Sequence, residues 1–89
     1  MKFSRVQVQL VEKIDSHVLA ILADGGNEED LVLHLDYYFQ IYERLMAITP
    51  PKQIGILCKQ FSGFSRLVKL LGELAKALES GELTLAMIH

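Results

Sequence analysis

The chain lacks most of the features by which a small protein declares its chemistry. It has one cysteine in 89 residues. A lone thiol cannot close a disulfide within the chain, which points to a reducing, cytoplasmic setting. No apolar run reaches the ~18 residues a membrane span requires, so no membrane association is expected. Met1-Lys2-Phe3-Ser4-Arg5 carries charge, but no apolar stretch follows it, so it does not read as a signal peptide. There is no internal repeat, linker or low-complexity segment, and a single domain over residues 1–89 is expected.

Catalytic signatures are missing as well. No H-x-x-x-H or E-x-x-H spacing is present, and no metal is expected. Gly25-Gly26 does not follow a strand, so it lacks the context of a phosphate-binding loop. Cys58 has Lys59 beside it to lower its pKa a little, but no neighbouring base to make it a nucleophile. No acid–base constellation stands out. The expectation is a protein that is not an enzyme, with no catalytic residues and no cofactor.

What the chain does have is apolar surface. Its hydrophobic fraction is 51% and its mean hydropathy is +0.26. A chain this short buries only about 60–65% of the surface it exposes when unfolded. The surplus suggests contact with another chain.

That surface is arranged with helical periods. Ile54, Leu57, Phe61, Phe64, Val68, Leu71, Ala75 and Leu78 alternate steps of three and four, a heptad seam that predicts a helix over about 50–79. The seam stays in phase across Ser62-Gly63, which favours one bent helix, with a split near Gly63 as the alternative. Thr49 is a candidate cap, with Pro50 at the first helical position. Upstream, Ser4-x-x-Gln7 has the form of a capping box, and Phe3, Leu10, Val11, Ile14, Val18 and Ile21 share one face of a helix over about 4–24. Asp24-Gly25-Gly26 ends it. Asn27 then caps a helix over about 28–48, with Glu28, Glu29 and Asp30 in its first turn. Residues 82–89 form a short apolar tail of undecided conformation. The predicted fold is all-α, an antiparallel bundle of three principal helices, or four if the third splits.

The second helix carries an apolar arc of roughly 200°, twice what one neighbour needs. Leu33 and Tyr37 lie even beyond it, and Tyr37, Tyr38, Phe39 and Tyr42 crowd into one and a half turns. Leu33, Tyr37, Phe39, Ile41 and Ile48 are therefore the candidate interface. A homodimer is expected, working as a small adaptor, regulator or assembly subunit.

Two further groups need weighing. Lys52, Lys59, Arg66, Lys69 and Lys76 fall in an arc of roughly 120° on the back of the third helix, a candidate phosphate-binding stripe. It supports an alternative reading as a weak, sequence-independent nucleic-acid binder. Glu73 dilutes the stripe, and no aromatic side chains interleave with it. A helix-turn-helix fails at Lys59, Lys69 and Gly72, and a solvated face is the preferred reading. His17 and His34 lie within apolar arcs, and a hairpin at Gly25-Gly26 brings them to one height. A core-edge role is expected for both, hydrogen-bonded to a neighbour such as a tyrosine hydroxyl. Such histidines lose stability to the fold when protonated.

Overall fold

A computed structural model describes residues 2–81, and the predicted tail at 82–89 lies outside them. Among the described residues all regular structure is helical: α1 (Arg5–Ala23), α2 (Glu28–Val32), α3 (Leu35–Ala47), α4 (Pro51–Gln60) and α5 (Ser62–Ser80). The all-α expectation holds. There are five helices rather than three or four, because the second and third predicted helices are each divided.

The starts of α1 and α2 follow local chemistry. The Ser4 hydroxyl accepts from Gln7 N–H at 3.1 Å, and the Gln7 side-chain Oε1 accepts from Ser4 N–H at 2.8 Å. Asn27 and Asp30 close a second capping box at the head of α2. Gly25 has φ +82°, the left-handed conformation that ends α1 without the strain a side chain would bring.

The third predicted helix breaks at Phe61, whose φ −126° and ψ 100° are extended. This residue turns α5 relative to α4 and moves the seam. Ile54 and Leu57 are buried in α4, but α5 buries Gly63, Phe64, Leu67 and Leu70. Phe61, Val68 and Leu71 are only half-buried and Ala75 is exposed. A continuous heptad stripe is thus corrected to two shorter stripes with different headings. The start of α4 also shifts by one residue. Pro50 occupies the cap position and Pro51 the first turn, while Thr49 is buried and takes another role.

The second predicted helix divides at Leu33-His34. The His34 N–H bonds to Leu31 O at 3.0 Å, three residues back, so the chain tightens for one turn before α3 resumes.

α1 is the centre of the assembly. It packs against α5, α3 and α2, and α4 packs on α5. Gln7 near its start meets Ile48 and Thr49, whereas His17 near its end meets Tyr38, so α1 and α3 run antiparallel. Leu10, Val11, Ile14 and Val18 of α1 join Leu31, Tyr38, Ile41, Leu45, Leu57, Phe64 and Leu67 in one core. Full burial of such side chains stabilises by about 1.5–3 kcal/mol each.

One polar contact sets the position of α5. The Asp15 carboxylate accepts from the backbone N–H of Gly63 at 2.7 Å and of Phe64 at 3.0 Å. It therefore caps α5 from another helix, satisfying two donors that Phe61 cannot reach. The approach is so close that a Cβ on Gly63 would lie 2.6 Å from Asp15 O. Asp15→Ala should cost about 1–2 kcal/mol of stability through the lost cap. Gly63→Ala should cost about 1–3 kcal/mol through overpacking against backbone. Urea unfolding followed by circular dichroism measures both. A Gly63→Ala chain as stable as the parent would contradict this close packing of α5 on α1.

Candidate functional site

The surplus apolar surface lies on the α2–α3 arm. Seven large apolar side chains are exposed among the described residues, and five of them fall between Leu33 and Ile48. Leu33 is 80% exposed at the tightened joint. Tyr37, Phe39, Met46 and Ile48 are between 37% and 46% exposed.

These residues do not form one patch. α3 points Leu35, Tyr38, Ile41 and Leu45 into the core. Tyr37 and Phe39 are two positions apart, so they leave the helix roughly 200° from each other, one on each flank of that buried face. Ile48 lies near Tyr37 by the same geometry, and Met46 lies near Phe39. Of the five candidate interface residues, Leu33, Tyr37, Phe39 and Ile48 are exposed. Ile41 is a core residue at 8% exposure and leaves the set. Its position 300° on from Tyr38 puts it beside the buried line, not on a flank. Met46 was missed, although its place seven residues after Phe39 could have found it.

The flank carrying Tyr37 borders a cluster of rings. The His17 and His34 centroids are 4.9 Å apart in an edge-on arrangement. Tyr37 lies 4.9 Å and Tyr38 5.3 Å from His17. The expected hydrogen bond is present for His17, whose Nδ1 sits 2.7 Å from the Tyr38 hydroxyl. Burial, with a smaller contribution from Tyr37, pushes the Tyr38 phenol up to about 12, so it keeps its proton. Burial first and His34 second hold the His17 imidazole below its ordinary 6.5. His34 itself is exposed. Among the described residues no group of three or more His, Cys, Asp or Glu side chains is gathered as a metal would require.

At the other end of the seam Gln7 is buried. Its side-chain amide lies within hydrogen-bond distance of Ile48 O (3.1 Å), Thr49 Oγ1 (3.1 Å) and Gln53 Oε1 (3.2 Å), sharing two protons among three acceptors. Gln7 thus caps its own helix and ties down the α3–α4 turn. Thr49 serves here instead of capping α4.

The basic residues are divided between two helices. Lys52 and Lys59 belong to α4, and Arg66, Lys69 and Lys76 to α5. All five are exposed, but the extended Phe61 divides the stripe, whose shared arc assumed one continuous helix. Cys58 is half-buried on α4. Burial pushes its thiol up, with a Ser65 hydrogen bond opposing, so the expected lowering by Lys59 does not prevail. Among the described residues no helix is long and apolar enough to cross a membrane. Comparison with known proteins finds no match: no family model fits the chain, and no curated protein or solved structure is similar to it.

The Tyr38 hydroxyl is the most testable member of the cluster. Tyr38→Phe should lower stability by about 1 kcal/mol at pH 7, through the lost bond to His17. An unchanged urea midpoint would mean that this bond contributes nothing to the seam.

Proposed function

We propose that the protein is a non-enzymatic interaction module, a small adaptor, regulator or assembly subunit that works as a helical homodimer. The observation that carries this reading is the concentration of exposed apolar side chains on one arm: Leu33, Tyr37, Phe39, Met46 and Ile48. Scattered surface leucines are ordinary in a monomer, but aromatic, methionine and isoleucine side chains exposed along both flanks of one short arm match the make-up of an interface centre. Tyr37 supports it further, since a phenol combines apolar area with a polar tip and tolerates partial burial. A cytoplasmic setting belongs to the same proposal and rests on the single free cysteine.

Sedimentation tests it. At micromolar concentration the chain should sediment at about twice its 10.0 kDa mass. Tyr37→Asp or Phe39→Asp should shift it to the monomer while leaving its helical circular dichroism intact, because either places a charge where contact removes water. The two substitutions probe opposite flanks of α3, so the one that acts identifies the flank in contact. A folded monomer at every concentration, unaffected by both, would overturn the homodimer.

A further inference from the structure

The α1–α3 seam is closed at its two ends by different chemistry. The Gln7 end is made of amides, a hydroxyl and a carbonyl, none of which titrates near neutral pH. The other end is made by an imidazole and a phenol. We infer that the His17–Tyr38 contact is an acid-sensitive latch: protonation of His17 frees the α2–α3 arm from α1 while α1, α4 and α5 stay together.

Three features of the geometry carry this. Tyr38 is 0% exposed, and among the described residues His17 Nδ1 is the hydrogen-bond partner of its hydroxyl. A phenol that keeps its proton donates to Nδ1 only while that nitrogen is bare, so the neutral ring is the Nε2–H tautomer. A proton added at Nδ1 reverses the contact. Nδ1–H then donates to the phenolic oxygen, and the phenolic proton of the fully buried Tyr38 loses its acceptor, an arrangement that opposes protonation.

The second feature is His34, which sits in the α2–α3 joint itself and whose ring lies edge-on to His17 with the centroids 4.9 Å apart; its proximity opposes charge on His17. The third is the arm's own weakness. α2 is a helix of 5 residues, and α3 begins at Leu35 with His34 at its cap position making no side-chain cap bond. Neither would hold its form well without α1.

The charged groups around the latch do not neutralise it. Lys13 on α1 and Asp24 at its C-cap, four residues before and seven after His17, are both exposed. On α2, Glu28 and Glu29 are exposed, and the Asp30 carboxylate is held by Asn27 N–H at 2.9 Å. On α3, Asp36 and Arg44 are exposed. α5 meets the other side of α1, where Asp15 faces Gly63; its Arg66, Lys69 and Glu73 point to solvent. The face of the Tyr37 ring attracts a cation and offsets part of the effect.

The sign follows from linkage. The His17 imidazole is held below 6.5 in the fold, first by burial and then by His34. The closed seam therefore binds fewer protons than any state that releases His17. Its stability is complete above pH 6.5, falls as pH drops through 6.5 toward the folded value, and levels off below it.

Amide hydrogen exchange, corrected for intrinsic rates, tests the latch at pH 7 and pH 5. At both values the α3 amides of Tyr38 and Ile41 should be less protected than the α5 amides of Leu67 and Leu70, because the arm opens by itself. Protection of α3 should fall several-fold at pH 5, and His17→Gln should abolish that fall. Equal protection of α3 and α5, or an acid response that survives His17→Gln, overturns the proposal. Titration of the wild-type His17 imidazole by NMR decides the matter without any variant. A midpoint below 6.5 supports the latch, and a midpoint at or above 6.5 shows that attraction to the aromatic rings outweighs burial.

Discussion

The architecture depends on a carboxylate in the middle of α1. Asp15 takes two free N–H groups in the first turn of α5, at Gly63 and Phe64, and so fixes where α5 begins and which way it faces. Breaking a helix inside a small domain leaves unsatisfied donors at the new start, and burying them costs more than an ordinary hydrogen bond returns. Here the break at Phe61 is tolerated because the donors find an anion at the positive end of the helix. Glycine at position 63 is what allows the two backbones to meet. The turned α5 then presents Phe64, Leu67 and Leu70 to Val11, Ile14 and Val18.

The opposite flank of α1 is organised by polar contacts at two heights. Gln7 ties the α3–α4 turn, and His17 holds Tyr38. Between them the antiparallel seam is closed by apolar packing. α1 therefore works as a post with α5 fastened on one side and α3 on the other, which is why its buried residues extend over Gln7, Leu10, Val11, Ile14 and Val18.

Local chemistry was legible in the sequence, and tertiary polar contacts were not. The Ser4–Gln7 capping box, the Asn27 cap, the glycine stop at Gly25 and the apolar face of α1 follow from short-range rules that neighbours do not override. The juxtaposition of His17 and His34 followed from the hairpin between them. The division at Leu33-His34 has no glycine or proline to mark it. The division at Phe61 was masked by a heptad that stayed in phase, because Leu67 and Leu70, which the heptad omits, were available to take over the core. Nothing in the local sequence of Asp15 says that it serves a helix 48 residues away. Ile41 was misplaced for a related reason: on a helix whose apolar arc is too wide, the pattern alone cannot say which part of the arc faces inward.

That excess width is the physical origin of the exposed arm. One neighbouring helix covers an arc of about 100°. α3 has α1 as its main neighbour and buries Leu35, Tyr38, Ile41 and Leu45. Residues placed roughly 100° to either side, Tyr37 and Phe39, are then bound to emerge at the margins whatever their chemistry. α4 and α5 do not relieve this fully, since Tyr42 reaches Phe64 at 6.3 Å while Phe39 and Met46 beyond it stay open. A sequence selected only for this fold would place polar residues at those margins, as α1 does at Glu12 and Lys13 and α5 at Lys69 and Glu73. That α3 instead keeps aromatic and methionine side chains there, with Ile48 at its C-cap, is the reason for seeking its role in contact with another chain.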